Sequence, residues 1–245
     1  MTVTRPRAPE AVAPRGPSLP RPVVLLALVG VLYAAAQLVL VSPGMGIGWD
    51  EAIYASQYAA HAPPAPFSAP RARGVPLLVA PVVAVTDSVL ALRLYLTAVS
   101  SLALFGAYLV WVRVRADRSV PLAALLFGGC WLSLFYGNEA MPNLYVALGG
   151  VAAAGFLVLA VRSERASGAG SGRASGERSG PLSGVGSGRD LGQGSRGEVV
   201  KGRSWGAVAG LAGSLAVVSL MRPSDALLIA VPLAPAALVA LRRRA

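Results

Sequence analysis

The chain has 245 residues, 55% of them hydrophobic and only 13% charged, and carries a formal net charge of +11. A soluble domain usually carries about 25% charged residues, and here the apolar residues come in long blocks, so a soluble globular enzyme is excluded as the working class. A single cysteine, Cys130, rules out an intrachain disulfide or a cysteine-based zinc site.

Residues 1–21 are rich in Pro, Arg and Ala without apolar periodicity and read as a disordered cytoplasmic arm. Val23–Val41 is the first of six apolar runs, the others being Val89–Val112, Val120–Tyr136, Leu144–Val161, Trp205–Met221 and Ala226–Leu241. About 20 apolar residues on a helix span the hydrocarbon core of a bilayer. The small residues Tyr33-Ala34-Ala35-Ala36 could end a signal peptide, but the apolar stretch continues to Val41, longer than a signal core. The expected fold is therefore all-α: a polytopic transmembrane helical bundle of about six spans, multi-pass in the cell membrane, with membrane lipid as its surround. Arg93 is the only charge inside a run; near the outer end of its span, it is expected to snorkel. Cys130, in mid-span, reads as a small core residue.

Between the first two runs lies a large loop, 42–88. The Gly-rich turn Gly44–Gly48 leads into a helix expected over Glu51–His61, with Asp50 as its N-cap. Spacings of three and four place Asp50, Tyr54, Gln57 and His61 on one face, and Glu51 on another. Val75–Val85, interrupted by Pro76 and Pro81, is too short to cross. It is expected as a re-entrant or juxtamembrane hairpin or short helix at the outer face, beside the interfacial helix. Residues 162–204 alternate Gly, Ser and Arg and read as a flexible cytoplasmic linker. The linker separates a four-span membrane block, 22–161, from a two-span block, 205–245.

With the N-terminus cytoplasmic, the inner segments hold 18 Lys/Arg and the outer segments only Arg71, Arg73 and Arg222. Basic residues resist translocation, so this asymmetry sets the orientation. The basic excess is thereby a topology signal, and no nucleic-acid partner is expected. Of eleven acidic residues, Asp50, Glu51, Asp87, Glu139 and Asp225 fall on the outer face. A second polar constellation, Tyr136-Gly137-Asn138-Glu139-Ala140-Met141-Pro142-Asn143-Leu144-Tyr145, joins the third and fourth spans. A third, Met221-Arg222-Pro223-Ser224-Asp225, joins the last two. No Walker A, zinc-ligand or Ser/His/Asp pattern is present.

Three of these stretches carry a family resemblance. Gly48-Trp49-Asp50-Glu51-Ala52-Ile53-Tyr54 looks like the first-loop acidic motif of the C-type (GT-C) polyprenyl-phosphate-sugar-dependent glycosyltransferases, the protein O-mannosyltransferase and aminoarabinose-transferase group. Glu139-Ala140-Met141-Pro142-Asn143 resembles that group's second-loop acidic motif. Met221-Arg222-Pro223-Ser224 stands where the group often has a Thr-Lys-Gly-Pro turn. The chain departs from the family in two ways. It resembles only the N-terminal part of longer enzymes, which leaves open a truncated gene product, half of a split enzyme with a partner chain supplying the missing spans, or an inactive relative. Arg71-Ala72-Arg73-Gly74-Val75-Pro76 also replaces a Lys-Pro-Pro-like donor-phosphate motif.

The resemblance implies an inverting transfer of sugar from a polyprenyl-phosphate donor to an acceptor hydroxyl at the outer face. Asp50 and Glu139 would be catalytic, and Glu51, Tyr54, Arg71, Arg73, Asn143 and Arg222 would bind substrate. No cofactor is implied, although two carboxylates could share a divalent cation. The rival reading is a non-catalytic membrane protein, a transporter-like subunit or scaffold.

Overall fold

A computed structural model of the chain describes residues 21–68, 71–176 and 193–242. The expected cytoplasmic arm (apart from Arg21) and the middle of the expected linker lie outside the described residues. Those described form helices and connecting loops, with no strand among them. In chain order the helices are α1 (Arg21–Leu40), α2 (Trp49–Ser56), α3 (Gly74–Val83), α4 (Val89–Val114), α5 (Ser119–Gly129), α6 (Trp131–Asn138), α7 (Asn143–Gly176), α8 (Gln193–Met221) and α9 (Pro223–Arg242).

Three of these are long and apolar enough to cross a membrane: α1, α4, and α7 over Asn143–Ser163. At 1.5 Å rise per residue, the 20 residues of α1 span about 30 Å. α1 has no polar face, and Val24, Leu28, Val31, Leu32 and Val39 are all exposed along it. A helix that is apolar all round needs an apolar surround.

The expected third span is interrupted. α5 and α6 meet at 72°, because Cys130 adopts an extended conformation directly after Gly128-Gly129. Two glycines in succession weaken the helix there, and the extended residue ends it. If the bent pair counts as one crossing, the candidate spans number four. Cys130 is exposed at this corner rather than packed in a core, correcting the expectation for it. Val75–Val85 is not a hairpin but the single short helix α3; Pro76 stands in its first turn, where no amide partner is needed, and Pro81 lies within it. α7 continues to Gly176 and α8 begins at Gln193, so both ends of the expected linker stretch are helical.

α4 is the central helix. One apolar cluster joins it to α1, α5, α6 and α7 through Leu26, Leu104, Ala124, Leu134 and Leu148. A second joins it to α2, α3, α7 and α8 through Val75, Val79, Leu96, Val218 and Met221. The final helices therefore do not stand apart, because α8 packs along α7 and α9 packs on both. The polypeptide order puts the ends of α1, α6 and α8 and the starts of α2, α3, α4, α7 and α9 at one end of the bundle. The opposite end gathers Arg21, Arg113, Arg115, Arg118 and Arg162.

Candidate functional site

The site is assembled on a buried ion pair. α2 begins after Gly48, which is extended, so Asp50 is not the N-cap but lies inside the first turn. Glu51 reaches back to accept the Gly48 N–H at 2.9 Å. With the end satisfied this way, Asp50 is available to neighbours outside the helix. Arg93 of α4 grips Glu51 through both arms, Nη1 to Oε1 at 2.6 Å and Nη2 to Oε2 at 2.9 Å. The same guanidinium donates to the Asn138 carbonyl at 2.8 Å and the Gly46 carbonyl at 3.0 Å. The Ala140 N–H donates to Glu51 at 2.7 Å.

Arg93 and Glu51 are 0% and 1% exposed at their side chains. Arg93 thus does not snorkel. The loop from α1 folds over it and supplies the counter-charge, and a planar fork matched to a carboxylate suits such burial. Glu51 is buried in this pair and does not line the Asp50 cavity described below. It ties the start of α2, the first turns of α4 and the loop after α6 into one unit.

On that platform, four of the candidate residues converge. Asp50, Tyr54, Arg71 and Arg222 line a cavity of about 300 Å³ together with Ala72, Met221, Pro223 and Ser224. Asp50 and Tyr54 are one turn apart on α2. Arg71, from the loop before α3, pairs with Asp50 and also donates to Ser68 Oγ at 3.0 Å. Arg222 sits at the α8–α9 junction, 3.6 Å from Asp225. Burial and the adjacent Asp50 charge push the Tyr54 phenol upward, with Arg71 and Arg222 partly opposing them. The hydrogen bond with Asp50 holds Arg71 in its charged form.

What lets two separate chain segments meet here is Gly74. A β-carbon there would lie 2.6 Å from the Leu220 carbonyl oxygen and 2.8 Å from its carbon. Only glycine allows α3 to abut the end of α8, and this contact sets Arg71 beside Arg222.

The other candidates lie elsewhere. Glu139 does not line the Asp50 cavity. It is 8% exposed in the turn after α6, and burial together with the Glu51 charge pushes its carboxyl up to about 7, against the pull of Arg93. Arg73 stacks over the Phe67 ring at 6.0 Å, and Phe67 in turn meets the edge of Tyr54, so Arg73 braces the cavity wall from behind. Asn143 is the half-buried first residue of α7, outside the cavity.

The expected four-residue face of α2 holds only its first half. The helix stops at Ser56, Gln57 donates to the Ile53 and Ala65 carbonyls, and His61 pairs with Asp87 at 3.1 Å in the open. Among the described residues no three His, Cys, Asp or Glu side chains gather as ligands for a cation.

Sequence reasoning missed Ser224 as a lining residue and Arg93 as a structural partner. The signal for Arg93 was present, since a lone charge in an apolar run calls for an opposite charge.

Two guanidinium groups, one carboxylate and two hydroxyls around a void at the bundle's end suit an anionic ligand that also offers hydroxyls. No protein-family profile, curated protein or solved structure matches the chain.

Proposed function

We propose that this chain is a multi-pass membrane protein that binds a polyprenyl-phosphate-linked sugar in the Asp50–Arg71–Arg222 cavity and transfers the sugar to an acceptor hydroxyl. The observation that carries the reading is the convergence of Asp50, Tyr54, Arg71 and Arg222 from three distant segments on one polar cavity. Its volume of about 300 Å³ is at the small end for ligand sites and suits a phosphate with one sugar ring. On this reading there are six spans: α1, α4, the bent α5–α6 pair, α7, α8 and α9. α2 and α3 lie at the outer face, and the basic end of the bundle is cytoplasmic. Trp49, 82% exposed beside the cavity, and Trp205, exposed toward the other end, suit the two membrane–water boundaries.

The chemistry follows from the charges. The polyprenyl tail stays in lipid while the phosphate lies between Arg71 and Arg222, whose guanidinium groups match its oxygens. Arg71 is paired with Asp50. A bound phosphate takes up Arg71 and leaves the Asp50 carboxylate to accept the acceptor's proton. The acceptor oxygen bonds to the anomeric carbon as the anomeric carbon–phosphate oxygen bond breaks. The electron pair leaves on the phosphate, where the two arginines neutralise it, and the configuration inverts. Glu139, outside the cavity, takes no part in this step. A partner chain supplying further spans is part of the proposal.

The test is sugar transfer from a radiolabelled polyprenyl-phosphate donor in membranes of the source cells, which contain any partner chain. Asp50→Asn is expected to slow transfer by ~10²–10⁴-fold, the usual loss for a general base. Arg71→Gln and Arg222→Gln should mainly raise the donor KM. Wild-type rates in Asp50→Asn at matched protein levels would remove the catalytic reading and favour the non-catalytic one.

A further inference from the structure

The basic end of the bundle holds a cavity of about 730 Å³, remote from the Asp50 site. Its origin is a packing gap. α5 and α7 each pack on α4, but they do not pack on each other. The floor is α4, with Tyr108 and Trp111; Val120 and Ala123 of α5 form one wall, and Val151 and Ala154 of α7 the other. The floor is rigidly joined to the α7 wall. The Trp111 Nε1–H donates to the Val151 carbonyl at 3.0 Å, and a β-carbon at Gly155 would lie 2.9 Å from Val110 Cγ1.

At the mouth stand Arg115 and Arg162, with Ser119 beside them. Arg162 is anchored by donation to the Val114 carbonyl at 2.6 Å, which fixes its charge over the cleft. Asp117 accepts from the Ser119 hydroxyl and, at 2.9 Å, from the Ser119 N–H, and also pairs with Arg115; those bonds hold Asp117 below the usual carboxylate range. A neighbouring groove at the starts of α1 and α5 is flanked by Arg21 and Arg118.

We infer that the α4–α5–α7 cleft is a binding site for an anionic phospholipid, one acyl chain lying in the slot and the headgroup phosphate on Arg115 and Arg162. An apolar slot opening between arginines matches an amphiphile with a negative head, whereas a zwitterionic lipid gains nothing net from the charges. Each basic residue at an anionic lipid surface adds about fivefold in affinity, so two add about 30-fold. Asp117 offsets part of the Arg115 charge, which brings the expected preference to about tenfold.

Trp111 provides the readout. In a chain with Trp49, Trp131 and Trp205 replaced by Phe, fluorescence is measured in vesicles of phosphatidylcholine containing a few per cent of a lipid with brominated acyl chains. Brominated phosphatidylglycerol should quench Trp111 at about a tenth of the mole fraction that brominated phosphatidylcholine needs. Arg115→Gln with Arg162→Gln should bring the two lipids to within about twofold. Ala123→Phe, which fills the slot without altering charge, should reduce quenching by both. Arg113→Gln, which removes a charge from the same end outside the cleft, should leave the preference unchanged within about twofold.

Should the tryptophan replacements unfold the chain, native mass spectrometry of the chain with its tryptophans intact counts retained phosphatidylglycerol against phosphatidylcholine in the same arginine variants. Equal quenching or retention of the two lipids in the unsubstituted cleft would overturn the inference. So would an Arg113→Gln effect as large as that of the cleft arginines, since diffuse surface charge would then account for the preference.

Discussion

Replacing Arg93 by Met tests the platform on which the candidate site rests. The substitution keeps most of the side chain's length and removes four donated hydrogen bonds: two to Glu51, one to the Asn138 carbonyl and one to the Gly46 carbonyl. It leaves the Glu51 carboxylate, 1% exposed, with only the backbone N–H groups of Gly48 and Ala140. Breaking a buried pair by removing one member costs roughly 3–5 kcal/mol, because the remaining charge is uncompensated. Glu51→Leu should cost a similar amount, leaving a buried guanidinium.

The double variant removes both charges, and a buried pair replaced by apolar residues is often near neutral. What persists is the loss of partners for four backbone groups, at about 1 kcal/mol each. The double variant should therefore cost about as much as either single one, with a coupling energy on the order of 3 kcal/mol. Unfolding in detergent micelles, followed by circular dichroism against rising SDS fraction, gives all three values. Single costs below about 1 kcal/mol that simply add would refute the claim that Glu51–Arg93 clamps these segments.

Three further outcomes are expected. The folded-state Glu139 carboxyl, raised to about 7, lies above the ordinary glutamate value, so the stability it contributes is full below about pH 4.3 and is lost as pH rises through about 7. The unfolding free energy in SDS should thus fall between pH 5 and pH 8, by on the order of 1–2 kcal/mol after allowing for solvent screening, and Glu139→Gln should flatten the profile. Gly74→Val should push α3 off the Leu220 carbonyl, costing about 1–3 kcal/mol in overpacking, and, on the proposed function, should raise the donor KM more than it lowers kcat. In a Cys130→Ala background, needed because the native thiol is exposed, cysteine at the exposed Gly44 should react with an impermeant reagent on intact cells; cysteine at the exposed Ala116 should react only after permeabilisation.

How much of this could be read in advance depended on the range of the interaction. The apolar runs located α1, α4, α7, α8 and α9 to within a few residues at most apolar edges, because hydropathy is a local property. The break at Cys130 escaped notice because its neighbours are as apolar as any span interior; only the Gly128-Gly129 pair hinted at it. Asp50 and Tyr54 were placed together by helical spacing, and the structure keeps them so. Arg71 and Arg222 were grouped with them by resemblance alone, as no spacing argument relates residues 151 positions apart. The same distance problem hid the Glu51–Arg93 pair. Glu139 looked like a partner of Asp50 because both are acids at span ends, but the turn after α6 sets it against Glu51 instead.

The Glu51–Arg93 pair also bears on how the chain is made. An arginine inside a span is penalised at insertion, by about 2.5–3.5 kcal/mol at a helix centre and by less toward an end, where Arg93 stands. Glu51 is synthesised 42 residues before Arg93, so the counter-charge has already left the ribosome when α4 emerges. The segment preceding α4 thereby holds a counter-charge for Arg93 before α4 is complete. A gene divided between residues 56 and 89 would separate α4 from the carboxylate that offsets its arginine. A division after α4 would keep the two together.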